Sequence, residues 1–339
     1  MSPAEGAGRS RGKRGAYVHE DVTTQAEVRR VDIVHSIAGR SLLTVAGIAV
    51  VVALAAAVAG PVEAAKVIRN KTFKDFRLPE GAHDRVYEKC TFTGGGSRTA
   101  VLQIDRAAHH ITFRNCVIKS GPWNGISIND HLGNIHDITF KKCRIRPQKR
   151  MGFECTSRPA DDASGYHGIK LVRCTFDPQG SEAISFDGGP GCVDNRVSGT
   201  LIRGAGTNSA FPWGQGFELN GITRFRFVNN TVYQTRSSLL NLQMYSDVDC
   251  GWTFTGNRLD ASTHRQKVTM ESNAQVVCGK GIHGGEFHDN TIIADKPGGG
   301  VAWFGDCHDM DWRGNRWRDS RRGAWDDPFL ELGSSGNLF

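Results

Sequence analysis

No CxxC pair and no HExxH stretch occurs in the 339 residues, so the common sequence signals of a zinc site are missing. Long runs with helical periodicity are few, which argues against a helical bundle. Charged residues make up 23% and hydrophobic ones 39%, a balance that excludes an intrinsically disordered chain. One GxGxxG match exists, "GKGIHG" at 279–284, but strand-like "GEFHDN" follows it instead of a helix, so it is not a dinucleotide loop. The net charge of +7 is a small surplus over so long a chain and reads mainly as solvated surface. What is abundant is glycine: 41 residues, against a usual level of about 7%, as expected of a chain with many turns between short strands.

Only one long apolar run is present, Leu42 to Ala59, without a single charge. Its length reaches the lower limit for a membrane-spanning helix. It ends in Ala57-Val58-Ala59, the small-residue pattern of a signal-peptidase site. The polar stretch before it is long for a signal n-region, so an uncleaved single-pass anchor with the large domain outside the cell membrane is expected; secretion after cleavage near Ala59 is the alternative. The expected organisation is a disordered polar segment at 1–41, the anchor or signal helix at 42–59, a linker and N-terminal cap at 60–80, the main domain at 81–318, and a C-terminal cap or tail at 319–339. Trp325, Phe329, Leu330 and Leu332 would plug the end.

The main domain repeats itself. "ITFRNCVIK" at 111–119 returns as "ITFKKCRIR" at 138–146 with the cysteine in the same slot. Walking outward places Cys90, Cys116, Cys143, Cys174, Asn195, Asn230, Asn257, Asn290 and Asn315 in that slot, about 28 residues apart on average. Three residues earlier stands an apolar residue: Phe113, Phe140, Leu171, Cys192, Phe227, Phe254, Phe287 or Trp312. A second phrase follows about a dozen residues later and alternates with strand periodicity: "GISIND", "GFECTS", "AISFDG", "GFELNG", "LLNLQM", "KVTMES" and "VAWFGD". Short strands repeated in coils of this length make an all-β solenoid of about nine coils. Each coil needs a small residue at an inward turn, and the cysteines and asparagines fill that place. The cysteines of the slot, and Cys155, are therefore core thiols, and a disulfide is expected only among Cys250, Cys278 and Cys307.

The asparagine ladder resembles the right-handed parallel β-helix of the pectate-lyase-like superfamily, over roughly residues 66–325. That resemblance is at the level of the repeat and includes no catalytic signature. It implies a right-handed parallel β-helix acting on or binding polysaccharide.

The outward residues of the second phrase form two columns. One reads Ser127, Glu154, Ser185, Glu218, Asn241, Thr269, Trp303; the other reads Asn129, Thr156, Asp187, Asn220, Gln243, Glu271, Gly305. Strands about 4.8 Å apart set Asp187 diagonally beside Glu154 and Glu218. Carboxylates so close repel, which raises the proton affinity of at least one and supplies the unequal pair that glycoside hydrolysis uses. Asp187, Glu154 and Glu218 are thus the expected catalytic centre. Glu271, His167, Tyr166, Trp213, Trp303, Asn220 and Gln243 are the expected substrate-binding residues, several of them on long loops of the kind that carry function.

The expected partner is a polysaccharide; the basic residues Arg114, Lys141, Lys142, Arg144, Arg146, Arg173 and Arg196 along the first phrase read first as solvated surface and second as a groove for an anionic glycan. No nucleic-acid partner and no obligatory cofactor are expected. Two alternatives stay open: a lyase holding Ca2+ at Glu154, Asp187 and Glu218 with Arg158, Lys170 or Lys267 as base, and a non-catalytic module that binds glycan or cell-wall material.

Overall fold

Each coil of the domain turns where one residue adopts the left-handed backbone conformation. The residue just before the slot has φ of 53° at Lys89, 54° at Asn115, Lys142, Arg173 and Asn229, 59° at Gly199, 66° at Gly256, 53° at Asp289 and 72° at Gly314. That kink ends one strand and starts the next at an angle, and its repetition bends the chain into coils. The structure, a computed structural model, describes residues 64–339 except 131–133, 158–164, 212–213, 245–247, 263–275, 279–281, 295–301, 305–306, 320–322, 325–329 and 333–339. The segments expected at 1–41 and 42–59 lie outside the described residues. No helix among the described residues is long and apolar enough to cross a membrane.

Glu63–Phe339 is one compact unit, an all-β parallel solenoid. Three sheets run along it. The first has nine strands, from Lys66–Arg69 to Glu286–His288; the second has eleven, from Thr72–Lys74 to Gly323–Ala324; the third has ten, from Phe76–Arg77 to Leu330–Leu332. Pairing is parallel throughout, save the final pair of the second sheet, where Arg316–Asp319 and Gly323–Ala324 run antiparallel. A fourth sheet of three short strands, from Val248–Asp249 to Cys307–His308, adds a side to the later coils.

The coil count differs from that read in the repeats. Residues 66–77, expected as a cap, supply the first strand of all three sheets. At the other end, Leu330–Leu332 pairs with Ala302–Phe304 as a further rung.

The inward files match the apolar pattern. Tyr87, Phe113 and Phe140 stack with centroids 5.0 and 4.7 Å apart, and Phe227, Phe254 and Phe287 continue the file. Ile126/Ile128, Phe153/Cys155, Ile184/Phe186, Phe217/Leu219 and Leu240/Leu242 are all buried. The slot residues do one job with two chemistries. The thiols of Cys116, Cys143 and Cys174 donate to the carbonyls of Tyr87, Phe113 and Phe140 on the coil before. The Nδ2 groups of Asn257 and Asn290 donate to Phe227 and Phe254 in the same way, while their Oδ1 atoms accept the backbone N–H of the asparagine one coil earlier. A buried turn thereby keeps its polar groups paired.

One coil corrects the sequence reading. Leu171 pairs with Val197, not Cys192, and the slot between Cys174 and Asn230 is held by Thr200, not Asn195. Thr200 Oγ1 accepts from the Cys174 N–H, and its own N–H donates to Asn230 Oδ1 at 2.9 Å. Asn195 sits at the other end of that strand, accepting from the Ile169 N–H.

Left-handed φ at a residue with a side chain costs about 1–2 kcal/mol, whereas glycine adopts it freely at the price of some unfolded-state entropy. Lys142, exposed and at φ 54°, is therefore expected to gain stability, up to about 1 kcal/mol, on Lys142→Gly. Urea unfolding of the variant beside the parent would read that shift.

Candidate functional site

The polar face of the third sheet is set by its register. Ser127, Glu154, Ser185, Glu218 and Asn241 lie on one straight column, and Asn129, Thr156, Asp187, Asn220 and Gln243 lie on the next. Asp187 therefore stands one rung and two residues away from Glu154 and adjacent in column to Asn220, as the alternation required. The inward neighbours of these residues are core, so the outward side chains are fixed from behind by packing.

The three carboxylates differ in surroundings. Glu154 is held on both oxygens: Arg150 Nη1 donates to Oε1 at 3.1 Å, while Asn124 Nδ2 at 2.6 Å and Ser127 Oγ at 3.4 Å donate to Oε2. Glu218 has no ion-pair partner among the described residues. Ser185 Oγ donates to it at 3.0 Å and Asn241 Nδ2 at 3.3 Å. Burial pushes the Glu218 carboxyl above the usual glutamate range and the charge of Asp187 adds to that, outweighing the hydrogen bonds from Ser185, Asn220 and Asn241 that favour its ionised form. One column thus carries an ion-paired carboxylate and, two rungs on, a carboxyl whose proton affinity is raised by burial.

A fourth carboxylate was not anticipated. Glu182 is 2% exposed, receives the Ser181 hydroxyl, and is also raised, first by burial and further by the charge of Glu218, with Arg150 opposing. It precedes the strand Ile184–Asp187 and lies within reach of the charges of Glu218 and Arg150, so it borders the carboxylate face. A group whose proton affinity rises on folding lowers stability as pH climbs from the unfolded glutamate value of 4.5 through the folded one. Glu182→Gln is expected to flatten part of that loss, which thermal melts across pH 4.5–8 would show.

Aromatic residues border Glu154. The guanidinium of Arg150 lies over Trp123, 5.0 Å from its ring centroid. Trp123 meets Phe211 edge-on at 6.0 Å, and Arg236 Nη1 donates to the Phe211 carbonyl. The loop carrying Phe211 is tied down by Thr207 Oγ1 to the Gln179 carbonyl and by Asn208 Nδ2 to that of Lys149. The long loop was expected to bring Trp213 to this face; Trp213 lies outside the described residues, and Trp123 and Phe211 are the aromatic pair that the structure places there.

Several expected binding residues fall elsewhere. Tyr166 is fully buried, donating its hydroxyl to the carbonyls of Cys155 and Asp187, so it props the third sheet from inside and does not face a ligand. His167 pairs with His136 by an isolated bridge beside the first sheet, in a stack of imidazoles away from the carboxylate columns. The strand that follows Leu240–Gln243 in the third sheet is Val276–Cys278, not "KVTMES", so Val277 takes the column position expected for Thr269. Glu271 lies outside the described residues. Trp303 keeps its register, opposite Val277.

Asn220 and Gln243 stay in the second column, Asn220 largely buried and Gln243 donating to Asn241 Oδ1. Of the basic residues along the first phrase, Arg144 and Arg146 converge with Arg203 on Asp177, and Arg114 pairs with Glu88, while Lys141 and Lys142 are exposed. Lys170 belongs to a first-sheet strand, off the carboxylate face, while Arg158 and Lys267 lie outside the described residues. The disulfide expected among Cys250, Cys278 and Cys307 also reaches outside the described side chains.

The donors on Glu154 and Glu218 bear on the Ca2+ alternative. Arg150, Asn124, Ser127, Ser185 and Asn241 present N–H and O–H groups to the lone pairs a cation would need, and Arg150 cancels one charge. Arg150 thus opposes Ca2+ at Glu154, while the asparagine and serine side chains also carry oxygens of the kind that Ca2+ accepts.

No protein-family model and no curated protein matches the chain. Among solved structures, the chain is similar to an alginate lyase from Paenibacillus sp. strain FPU-7, with 12% identity and a TM-score of 0.47, covering 82% of this chain and 94% of that one. It is also similar to the Dettilon tailspike protein, with 11% identity and a TM-score of 0.36, and to tailspike protein 3 of bacteriophage CBA120, with 12% identity and a TM-score of 0.23. The chain spans 60% and 59% of those two tailspikes.

Proposed function

We propose that this β-helix cleaves a polysaccharide by hydrolysis on the outer face of its third sheet. The observation that carries the reading is the contrast between Glu218, whose burial favours its protonated form, and the ion-paired Glu154 on the same column. Glu218 would protonate the glycosidic oxygen as the bond to the anomeric carbon breaks. Asp187, diagonal to it, would take a proton from water as the hydroxyl adds to that carbon. Glu154, with both oxygens engaged, would orient the sugar through Arg150 and Asn124 and would not transfer a proton. Trp123 and Phe211 would form the apolar wall that a sugar ring needs. The separation of acid and base is what two-carboxylate glycosidases depend on.

Export, with residues 42–59 as a membrane anchor or as a signal cleaved near Ala59, belongs to the same proposal, because a polysaccharide of the cell exterior would be met there. The test is an assay of the full-length chain on a panel of neutral and uronic-acid polysaccharides. New reducing ends without unsaturated uronate, unchanged by removal of Ca2+, are expected. Unsaturated products would replace hydrolysis with elimination, and binding without cleavage across the panel would make the domain a glycan-binding module.

A further inference from the structure

Four histidines recur at one position of four successive coils. His83, His109, His136 and His167 each stand seven residues before a slot cysteine, and their rings stack at 5.3, 4.9 and 4.9 Å with planes within 9° of parallel. The next residue in each coil forms a second file: Asp84, His110, Asp137 and Gly168, all at φ between 48° and 66°. The left-handed turn directs Asp84, His110 and Asp137 along one line, so His110 lies between two carboxylates.

His110 Nε2 is 3.6 Å from Asp137 Oδ2, and His136 Nδ1 is 3.0 Å from the same oxygen. The ligand atoms of His110, His136 and Asp137 all lie within 4.8 Å of one another. A tetrahedral ion with bonds of about 2.0–2.1 Å holds its ligands about 3.4 Å apart, which this trio can match with small movements.

From this geometry we infer that His110, His136 and Asp137 form a site for a first-row transition-metal ion, Zn2+ in the first instance. Two imidazoles and one carboxylate suit such an ion, while Ca2+ and Mg2+ prefer oxygen ligands. The other nitrogen of His110, Nδ1, faces Asp84 Oδ1 at 3.5 Å, and Asp84 is itself held by His83 Nδ1 at 3.0 Å. A carboxylate behind a ligating histidine is the arrangement that orients metal-bound imidazoles. His109 Nδ1, 3.2 Å from His110 Nδ1, lies close enough to compete for that nitrogen. Lys170 on the following coil is the cation whose charge Asp137 feels, and it opposes a bound ion. The side chains of His110, His136 and Asp137 are 52%, 29% and 42% exposed, so an ion can reach them from solvent and complete its shell with water. Bound there, it would join neighbouring coils, since His110 and His136 belong to successive first-sheet strands.

The test uses the full-length chain prepared without a polyhistidine tag. Equilibrium dialysis against ZnCl2 should give one tightly held ion per chain, and Co2+ in its place should show the visible absorption of a nitrogen- and oxygen-ligated ion. His136→Ala and the isosteric Asp137→Asn should each weaken binding at least tenfold, with far-UV circular dichroism unchanged. Asp84→Asn should weaken it by about tenfold through its hold on His110. Absence of saturable Zn2+ and Co2+ binding, or binding equally tight in His136→Ala and Asp137→Asn, would overturn the assignment.

Discussion

Glu218→Gln lowers turnover of the polysaccharide by about 10²–10⁴-fold while leaving binding nearly intact, which is the range that a positioned general acid contributes. Glutamine keeps the shape of the side chain and can still meet Ser185 and Asn241, but it has no proton to give the leaving oxygen. Loss of an interaction made only in the transition state falls on kcat and leaves KM nearly unchanged. Glu154→Gln should behave differently: it leaves Arg150 unpaired beside Trp123 and loosens Asn124, so KM rises along with a smaller fall in kcat. Steady-state kinetics of the two variants on one substrate separates the roles. Equal effects on KM and kcat in both would assign them a common, positioning part.

The second large effect concerns the fold. Asn257→Ala removes the acceptor for the Asn230 N–H at 2.8 Å, the donor to the Phe227 carbonyl at 2.8 Å, and the side-chain bonds to Asn230 and Asn290. Each buried group left without a partner costs about 1–3 kcal/mol, so a total of roughly 3–5 kcal/mol is expected, a large share of an ordinary domain's 5–15 kcal/mol. Cys174→Ser should cost far less, because a hydroxyl can donate to the Phe140 carbonyl as the thiol does. Chemical denaturation of both variants would rank them, and a mild Asn257→Ala would mean that neighbouring amides or water take over the lost bonds.

How far the sequence was legible follows from what repeats. The files of Phe113, Phe140, Phe227 and Phe254, the slot asparagines and the outward columns through Glu154, Asp187 and Glu218 were all readable, because coil spacing and two-residue alternation fix them together. Thr200 was missed for a physical reason. A first-sheet strand has a left-handed residue at each end, Asp194 and Gly199 in that coil, so Asn195 imitates a slot residue from the wrong corner. With Thr200 in place the slot steps narrow from 21–35 residues to 25–33, a regularity that could have chosen between them.

"KVTMES" shows the opposite failure, since an alternating run resembles a rung whether or not it pairs, and Val276–Cys278 holds the place instead. The histidine file was present as a pattern, imidazoles in step with the cysteines, whereas the burial of Glu182 depends on the corner before its strand. Trp123, Phe211 and Arg150 gave no such signal, because they meet only through the path of loops between rungs.

The pH dependence of kcat/KM, measured for the parent and for Ser185→Ala, tests the central claim most directly. Glu218 must be protonated to act, so activity should fall on the alkaline side as its carboxyl ionises. The Ser185 hydroxyl favours the ionised form, and removing it should move that limb to higher pH. An alkaline limb that stays in place in Ser185→Ala, or that persists unchanged in the residual activity of Glu218→Gln, would contradict Glu218 as the proton donor.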